Sequence, residues 1–347
     1  MAAVTHRVWS ALCVGALLGV SAGLFLLRTR PVTRVSSVHS HIATSFATST
    51  TLLHGTMIPL PTEGVIRLLF VGDIMMDRHV AERIRTTRDP FYPFRRLPIG
   101  WFDAFDFTVA NLECPLTDTR RAPIKSIDFA CDPMVATTLH TIGVDAVSQA
   151  NNHSLDQGMD GYDDSIHHVR RAGLLVFGHG VRDDAIALAT TTIRGKRFAF
   201  LGFNTTDHSL DEVSAMHTIN QARAQADVVV VFMHWGVEYQ DHPTHDQIAR
   251  AHWLIDRGAD AVIGGHPHWV QGLSVYHDKP IAYSLGNFVF DQYFSRETQE
   301  GLAVALVIDH DRITLEPIPI SLDDSQPRVV EGTERETRLR HLTALSL

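Results

Sequence analysis

The chain has 347 residues, 45% hydrophobic and 20% charged, which supports a substantial core and excludes global disorder. The formal net charge is −9. The first 64 residues hold four arginines and one glutamate, so the remainder carries about −12, which argues against nucleic-acid binding.

In chain order, the first feature is Val8 to Leu27, twenty uncharged residues between Arg7 and Arg28. That length spans a bilayer as a helix. It is long for a signal-peptide core, and Arg28-Thr29-Arg30-Pro31 is a poor cleavage context, so a cleaved signal is the alternative. Residues 1–30 are read as a single-pass membrane anchor, attached to the membrane through residues 8–27. Arg28, Arg30 and Arg34 outweigh Arg7, which by the positive-inside rule alone leaves the main domain in the cytoplasm. Residues 31–64 are rich in Ser, Thr and His with three prolines, and read as a flexible linker.

The folded domain is assigned to residues 65–320. It opens on a strand pattern, Val65 to Val71, broken at Gly72-Asp73, with helix toward Arg88. Asp73 is read as a strand-end site residue or an ordinary helix N-cap. A second strand, Phe105 to Ala110, ends in Asn111-Leu112-Glu113-Cys114-Pro115. A third, Gly143 to Ser148, runs into Asn151-Asn152-His153, followed by a helix from Tyr162 to Arg171. Residues 185–192 and 197–203 read as a hairpin-like pair about Gly195. The most β-branched run, Asp227 to Met233, delivers His234-Trp235-Gly236. A helix over His245 to Arg257 precedes Asp260 to Ile263, a short buried-strand pattern that stops at Gly264-Gly265-His266-Pro267-His268. There the glycines are expected to supply the turn and Pro267 to stiffen it. Residues 302–309 and 312–319 form a closing hairpin, and 321–347 read as a polar tail ending in a short helix.

Three cysteines occur, Cys13, Cys114 and Cys131, at spacings that fit no zinc knuckle or redox pair. Cys114 and Cys131 suit either a disulfide in an oxidising compartment or two buried thiols.

With 21 histidines in the chain, only placement discriminates among them. Five strand ends carry ligand-type residues: Asp73, Glu113, Asn152 with His153, His234, and His266 with His268. In a layered α/β fold those ends share one edge, so residues distant in sequence converge. The set mixes carboxylates, imidazoles and an amide oxygen without a thiolate. That suits one or two divalent ions (Mn, Zn or Fe) in a hydrolytic site rather than a structural zinc. Two ions about 3.5–4 Å apart would use the whole set.

These blocks, together with His234-Trp235-Gly236-Val237-Glu238-Tyr239 and Tyr283-Ser284-Leu285-Gly286-Asn287-Phe288, resemble the poly-gamma-glutamate capsule synthesis (CapA-like) proteins, a family similar to calcineurin-like metallophosphoesterases. The resemblance implies an α/β fold, a layered metallophosphoesterase-like sandwich of two mixed β-sheets flanked by helices. It implies that Asp73, Glu113 and His268 hold the first metal, with Glu113 bridging, and that Asn152, His234 and His266 hold the second. His153 then acts as an acid that stabilises a leaving group or oxyanion. Met75 stands where the phosphoesterases carry a first-block histidine; Asp77 is either a substitute ligand or an exposed helix acid. Glu238 and Asn287 are read as partners that orient ligand histidines or as turn caps, and Arg78 and Lys125 as charges that meet a substrate carboxylate or only solvent.

The resemblance also implies a domain outside the cytoplasmic membrane, against the arginine count. The leading expectation is a membrane-anchored, metal-dependent protein acting on poly-gamma-glutamate or a related envelope polymer by hydrolysis or transfer. Its partners would be the anionic polymer or its precursor and membrane synthase subunits, with no nucleic acid. The alternatives are a non-catalytic assembly or export factor on the same fold, favoured by Met75, and a general metallophosphoesterase.

Overall fold

A computed structural model describes residues 64–123, 125–182 and 187–347. The anchor expected over residues 1–30 and the linker over 31–64 lie outside the described residues, Gly64 excepted. No helix among the described residues is long and apolar enough to cross a membrane.

Two mixed sheets stack face to face with helices on both outer sides. The first sheet is nucleated by β1 (Val65–Ile74), parallel to β2 (Phe107–Leu112), which continues through β3 (Ala146–Ser148) to β4 (Leu175–Phe177). The second has β5 (Leu188–Ile193) antiparallel to β6 (Lys196–Asn204), then β7 (Val228–His234) and β8 (Ala261–Gly265) in parallel. It closes with β9 (Leu273–Tyr276) and β10 (Lys279–Ala282), the latter parallel to β8. The short β11 (Asn287–Val289) returns to the first sheet and pairs the end of β1 on the side away from β2, where β12 (Glu300–Asp309) pairs its beginning. β13 (Arg312–Asp323) and β14 (Gln326–Val329) extend that edge.

Strand periodicity builds the layers, because alternate side chains point to opposite faces. In β1, Leu68 and Phe70 enter the core between the sheets, while Leu69 and Val71 face α1 (Arg78–Thr87), α2 (Met134–Thr141) and α3 (Gly158–Arg171). In β7, Val228, Val230 and Phe232 point between the sheets, and Val229, Val231 and Met233 meet α4 (Glu212–Gln225) and α5 (His245–Asp256). A run hydrophobic on both faces is what a doubly covered parallel strand requires. Phe200 anchors the inter-sheet core, stacked on Phe107 at 5.3 Å and Phe177 at 5.9 Å.

The polar tail expected over 321–347 is corrected. Residues 326–329 form β14, and α6 (Gly332–Leu345) packs Leu342 into the inter-sheet core. Only Leu339, Leu342 and Leu345 mark its inner face, and Arg338, which would read as surface, turns inward to pair with Glu300 at 2.5 Å. So sparse an apolar stripe gives little periodic signal.

Phe200→Ala should cost about 3–5 kcal/mol through lost transfer energy and an unfilled cavity. Urea unfolding of the variant against the parent chain measures it.

Candidate metal centre

The strand ends meet at one place because of register. Asp73 pairs Asn111 across β1 and β2, Asn111 pairs Ser148 across β2 and β3, and His234 pairs Gly265 across β7 and β8. Glu113 follows β2 directly, its N–H held by the Ile74 carbonyl at 2.8 Å. The two sheets come together at Gly265, and β8 packs against the segment after β10 at Gly264, because neither residue has a side chain. A Cβ on Gly265 would stand 2.6 Å from Asp73 Oδ1, and one on Gly264 would stand 2.0 Å from the Tyr283 carbonyl oxygen. The glycines therefore serve close approach within β8 rather than the turn expected of them. The turn is made by the histidines, with φ +94° at His266 and +58° at His268. Left-handed backbone at non-glycine residues costs energy and concentrates at functional sites.

Asp73, Glu113 and His268 offer ligand atoms that all lie within 4.8 Å of one another, and all three residues are buried. His268 Nδ1 donates to Asn287 Oδ1 at 2.9 Å; the Asn287 amide group is oriented by donating to the Gln292 side chain and the Thr298 carbonyl. That leaves the lone pair on His268 Nε2, which lies 3.8 Å from Glu113 Oε1. His234 Nε2 lies 3.9 Å from the same oxygen and 2.9 Å from Asn152 Oδ1. His266 packs its ring 4.8 Å from that of His234, and its backbone N–H donates to Asp73 Oδ2 at 3.2 Å. All six sequence-predicted metal residues thus converge.

His153 lies at the edge of this group. Its Nδ1 pairs with Asp156 Oδ2 at 2.7 Å, and Phe129 stacks on the ring at 4.2 Å. Asp77 is neither an exposed acid nor placed as a ligand. It caps α1, accepting from Arg78 N and from Ala130 N, and it pairs with Arg120. Met75 is buried in the helix-side core, its sulfur accepting the Asp77 N–H.

Burial dominates the electrostatics. It pushes the Glu113 carboxyl well up, with Asp73 and Glu238 adding like charge. It pushes His234 well down and His266 down to about 3, the neighbouring imidazoles adding to the effect. It lowers His153 too, with Asp156 opposing. The histidines are therefore neutral and ligand-ready at pH 7. Both Glu113 oxygens and His266 Nδ1 are buried without a hydrogen-bond partner among the described residues. Orphaned acceptors of this kind are costly unless something electropositive meets them. The donor set, oxygens and imidazole nitrogens without sulfur, fits a divalent ion.

Three neighbours of the site were not singled out from the sequence. Asn111 Nδ2 donates to Asp73 Oδ1 at 2.8 Å, and Asn151 donates to Asn111 Oδ1 and to the Leu112 carbonyl. Asp156 orients His153. The signal was adjacency, since each lies in a block that also holds a predicted ligand or His153. Cys114, next to Glu113, is joined to Cys131 in a disulfide, which settles that pair against free thiols.

The fold and site define a layered α/β protein with a buried carboxylate–imidazole centre at the strand ends of two sheets. Residues 67–292 match the family described as bacterial capsule synthesis protein PGA_cap, and the chain belongs to that family. It is 30% identical over 304 residues to the PGA biosynthesis protein CapA of Bacillus subtilis (strain 168), covering 81% of this chain and 79% of that protein. It is 31% identical over 301 residues to the capsule biosynthesis protein CapA of Bacillus anthracis, covering 80% and 73%. Among solved structures, a novel phosphatase from Mycoplasma pneumoniae aligns with a TM-score of 0.47 at 11% identity, over 80% of this chain and 99% of that one. A likeness at that level adds nothing to the family assignment.

Gly265→Ala should leave the chain folded but displace the Asp73 carboxylate. The divalent-ion content per purified chain is expected to fall below that of the parent, as elemental analysis would show.

Proposed function

We propose that the chain is a membrane-anchored, metal-dependent member of its family that acts on poly-gamma-glutamate or a related anionic envelope polymer by hydrolysis or transfer. The observation that carries the reading is the buried, unpartnered Glu113 carboxylate facing His234 and His268. Asp73, Glu113 and His268 would hold one divalent ion, and Asn152, His234 and His266, sharing Glu113, a second. Bound there, such ions polarise a carbonyl or phosphoryl oxygen and acidify water.

The chain's own contribution beyond the ligands centres on His153. With Nδ1–H donated to Asp156, Nε2 carries the lone pair, and a neutral ring takes up a proton there before it can return one to a leaving group. Asp156 holds the ring orientation and stabilises the charged form. Phe129 packs against one face and keeps it from water.

The polymer comes from the relatives, which are named for PGA and capsule biosynthesis. The Cys114–Cys131 disulfide suits an oxidising compartment and supports an external domain, with residues 8–27 as the anchor. The second reading, a non-catalytic assembly factor that works with synthase subunits, has its own observation: Met75 is sequestered in the core, and among the described residues the first cluster has three ligand residues.

Purified full chain should contain at least one divalent ion and shorten or transfer a γ-linked glutamate polymer. Glu113→Gln should lose most of both metal and turnover. Polymer binding without bound metal or turnover in the parent chain would establish the assembly factor instead. For location, a reporter joined after Leu347 that is active only outside the cytoplasm should be active, and its silence with the protein intact would reverse the assigned side.

A further inference from the structure

The loop over residues 115–130 leaves the centre at Glu113 and returns at Cys131. Its two ends are tied by the disulfide and by Thr117 N–H to the Cys131 carbonyl and Cys131 N–H to the Pro115 carbonyl. From this loop Lys125 reaches back to the centre. Its ammonium donates to the Asn152 carbonyl and forms an ion pair with Asp156 Oδ1, both at 2.7 Å. Phe129, in the same loop, lies on His153. On Phe129 sits the Arg78 guanidinium, 4.9 Å from the ring centroid, and 5.8 Å from that of Phe290, which itself packs 4.8 Å from His268. Two cations and an aromatic floor thus border the two histidines His153 and His268.

Both cations are ion-paired, yet neither is spent. Their counter-ions are sunk, with the side chains of Asp156 and Asp291 1% and 7% exposed, while those of Lys125 and Arg78 are 37% and 38% exposed. Lys125 uses one of its three donors on the Asn152 carbonyl. Arg78 gives Nε and Nη2 to Asp291, and its Nη1 has no partner among the described residues. Arg78 also has a left-handed backbone, φ +50°, immediately after the α1 cap. The Lys125 charge reaches inward as well. Burial is the main cause that lowers His153 and His234, and Lys125 adds to it in both.

We propose that Arg78 and Lys125, at the rim of the centre, form a carboxylate-binding subsite for a polyanion that repeats free carboxylates along its length. The inference rests on the polymer reading above and names the residues that would read the substrate. In a γ-linked glutamate chain each residue keeps a free carboxylate on its α carbon, and methylenes separate one carboxylate from the next. The carboxylates match the exposed heads of the two cations, while the buried Phe129 and Phe290 serve as the platform that seats Arg78. The metal ligands handle the reacting bond, while these two residues bind without touching it.

The test is calorimetric titration of the metal-loaded full chain with a γ-linked glutamate oligomer. The same oligomer with its α-carboxylates amidated, and inorganic phosphate as competitor, are run beside it. Arg78→Gln and Lys125→Gln should each weaken oligomer binding by about 5–20-fold, the range of one partly exposed charge-assisted contact. Metal content should be unchanged, Lys125→Arg should retain binding, and the amidated oligomer should bind the parent no better than the free-acid form binds the variants. Circular dichroism checks that each variant is folded. Variants that are folded and metal-loaded yet bind like the parent overturn the subsite and leave the polymer reading standing. Phosphate that displaces the oligomer, with amidation making no difference, overturns the carboxylate assignment in favour of a phosphate site. A metal-loaded parent that does not bind the oligomer overturns the polymer reading, and this inference with it.

Discussion

Two carboxylates, Asp73 and Glu113, are buried together where the strand ends of two sheets meet, and no donor among the described residues reaches either oxygen of Glu113. Like charges out of water repel and cannot both ionise without a counter-charge. The surroundings answer that demand in a graded way. Asp73 is satisfied by the Asn111 amide and the His266 backbone N–H, while Glu113 is left facing His268 and a His234 ring that burial keeps neutral. The protein has fixed one acid and left the other to a cation or a proton.

The scaffold needed to hold such an arrangement explains the rest of the fold. Parallel strands place their carboxyl ends on one edge, and doubly covered strands such as β7 keep that edge rigid. The amides of Asn111, Asn151 and Asn287 form the lattice between ligands, and each uses both its donor and its acceptor side. An amide offers both functions without adding charge, which suits a site already crowded with acids.

Much of this was legible in the sequence because strand ends are punctuated. Apolar runs that stop at Asp73, Glu113, His234 and His266 announce both strand and site. The helices α3 and α5 and the closing hairpin carried ordinary periodic signals. What stayed hidden depended on contacts between distant segments. The purpose of Gly264 and Gly265 is visible only when Tyr283 and Asp73 are beside them. Asp77 could be recognised as a helix cap rather than a ligand only with Ala130 and Arg120 in place. A terminal helix was legible, but the docking of α6 escaped because three leucines at intervals of three carry it, and an inward arginine breaks the pattern. The state of Cys114 and Cys131 depended on distance alone, and spacing in sequence does not give distance.

The covalent neck of the 115–130 loop separates two kinds of change. Because its ends are fixed beside Glu113, the exposed described residues between 118 and 127 can vary without moving that neck, Lys125 excepted, which reaches Asn152 and Asp156. A loop closed in this way lets its outer face change while the strand ends beneath it keep their register.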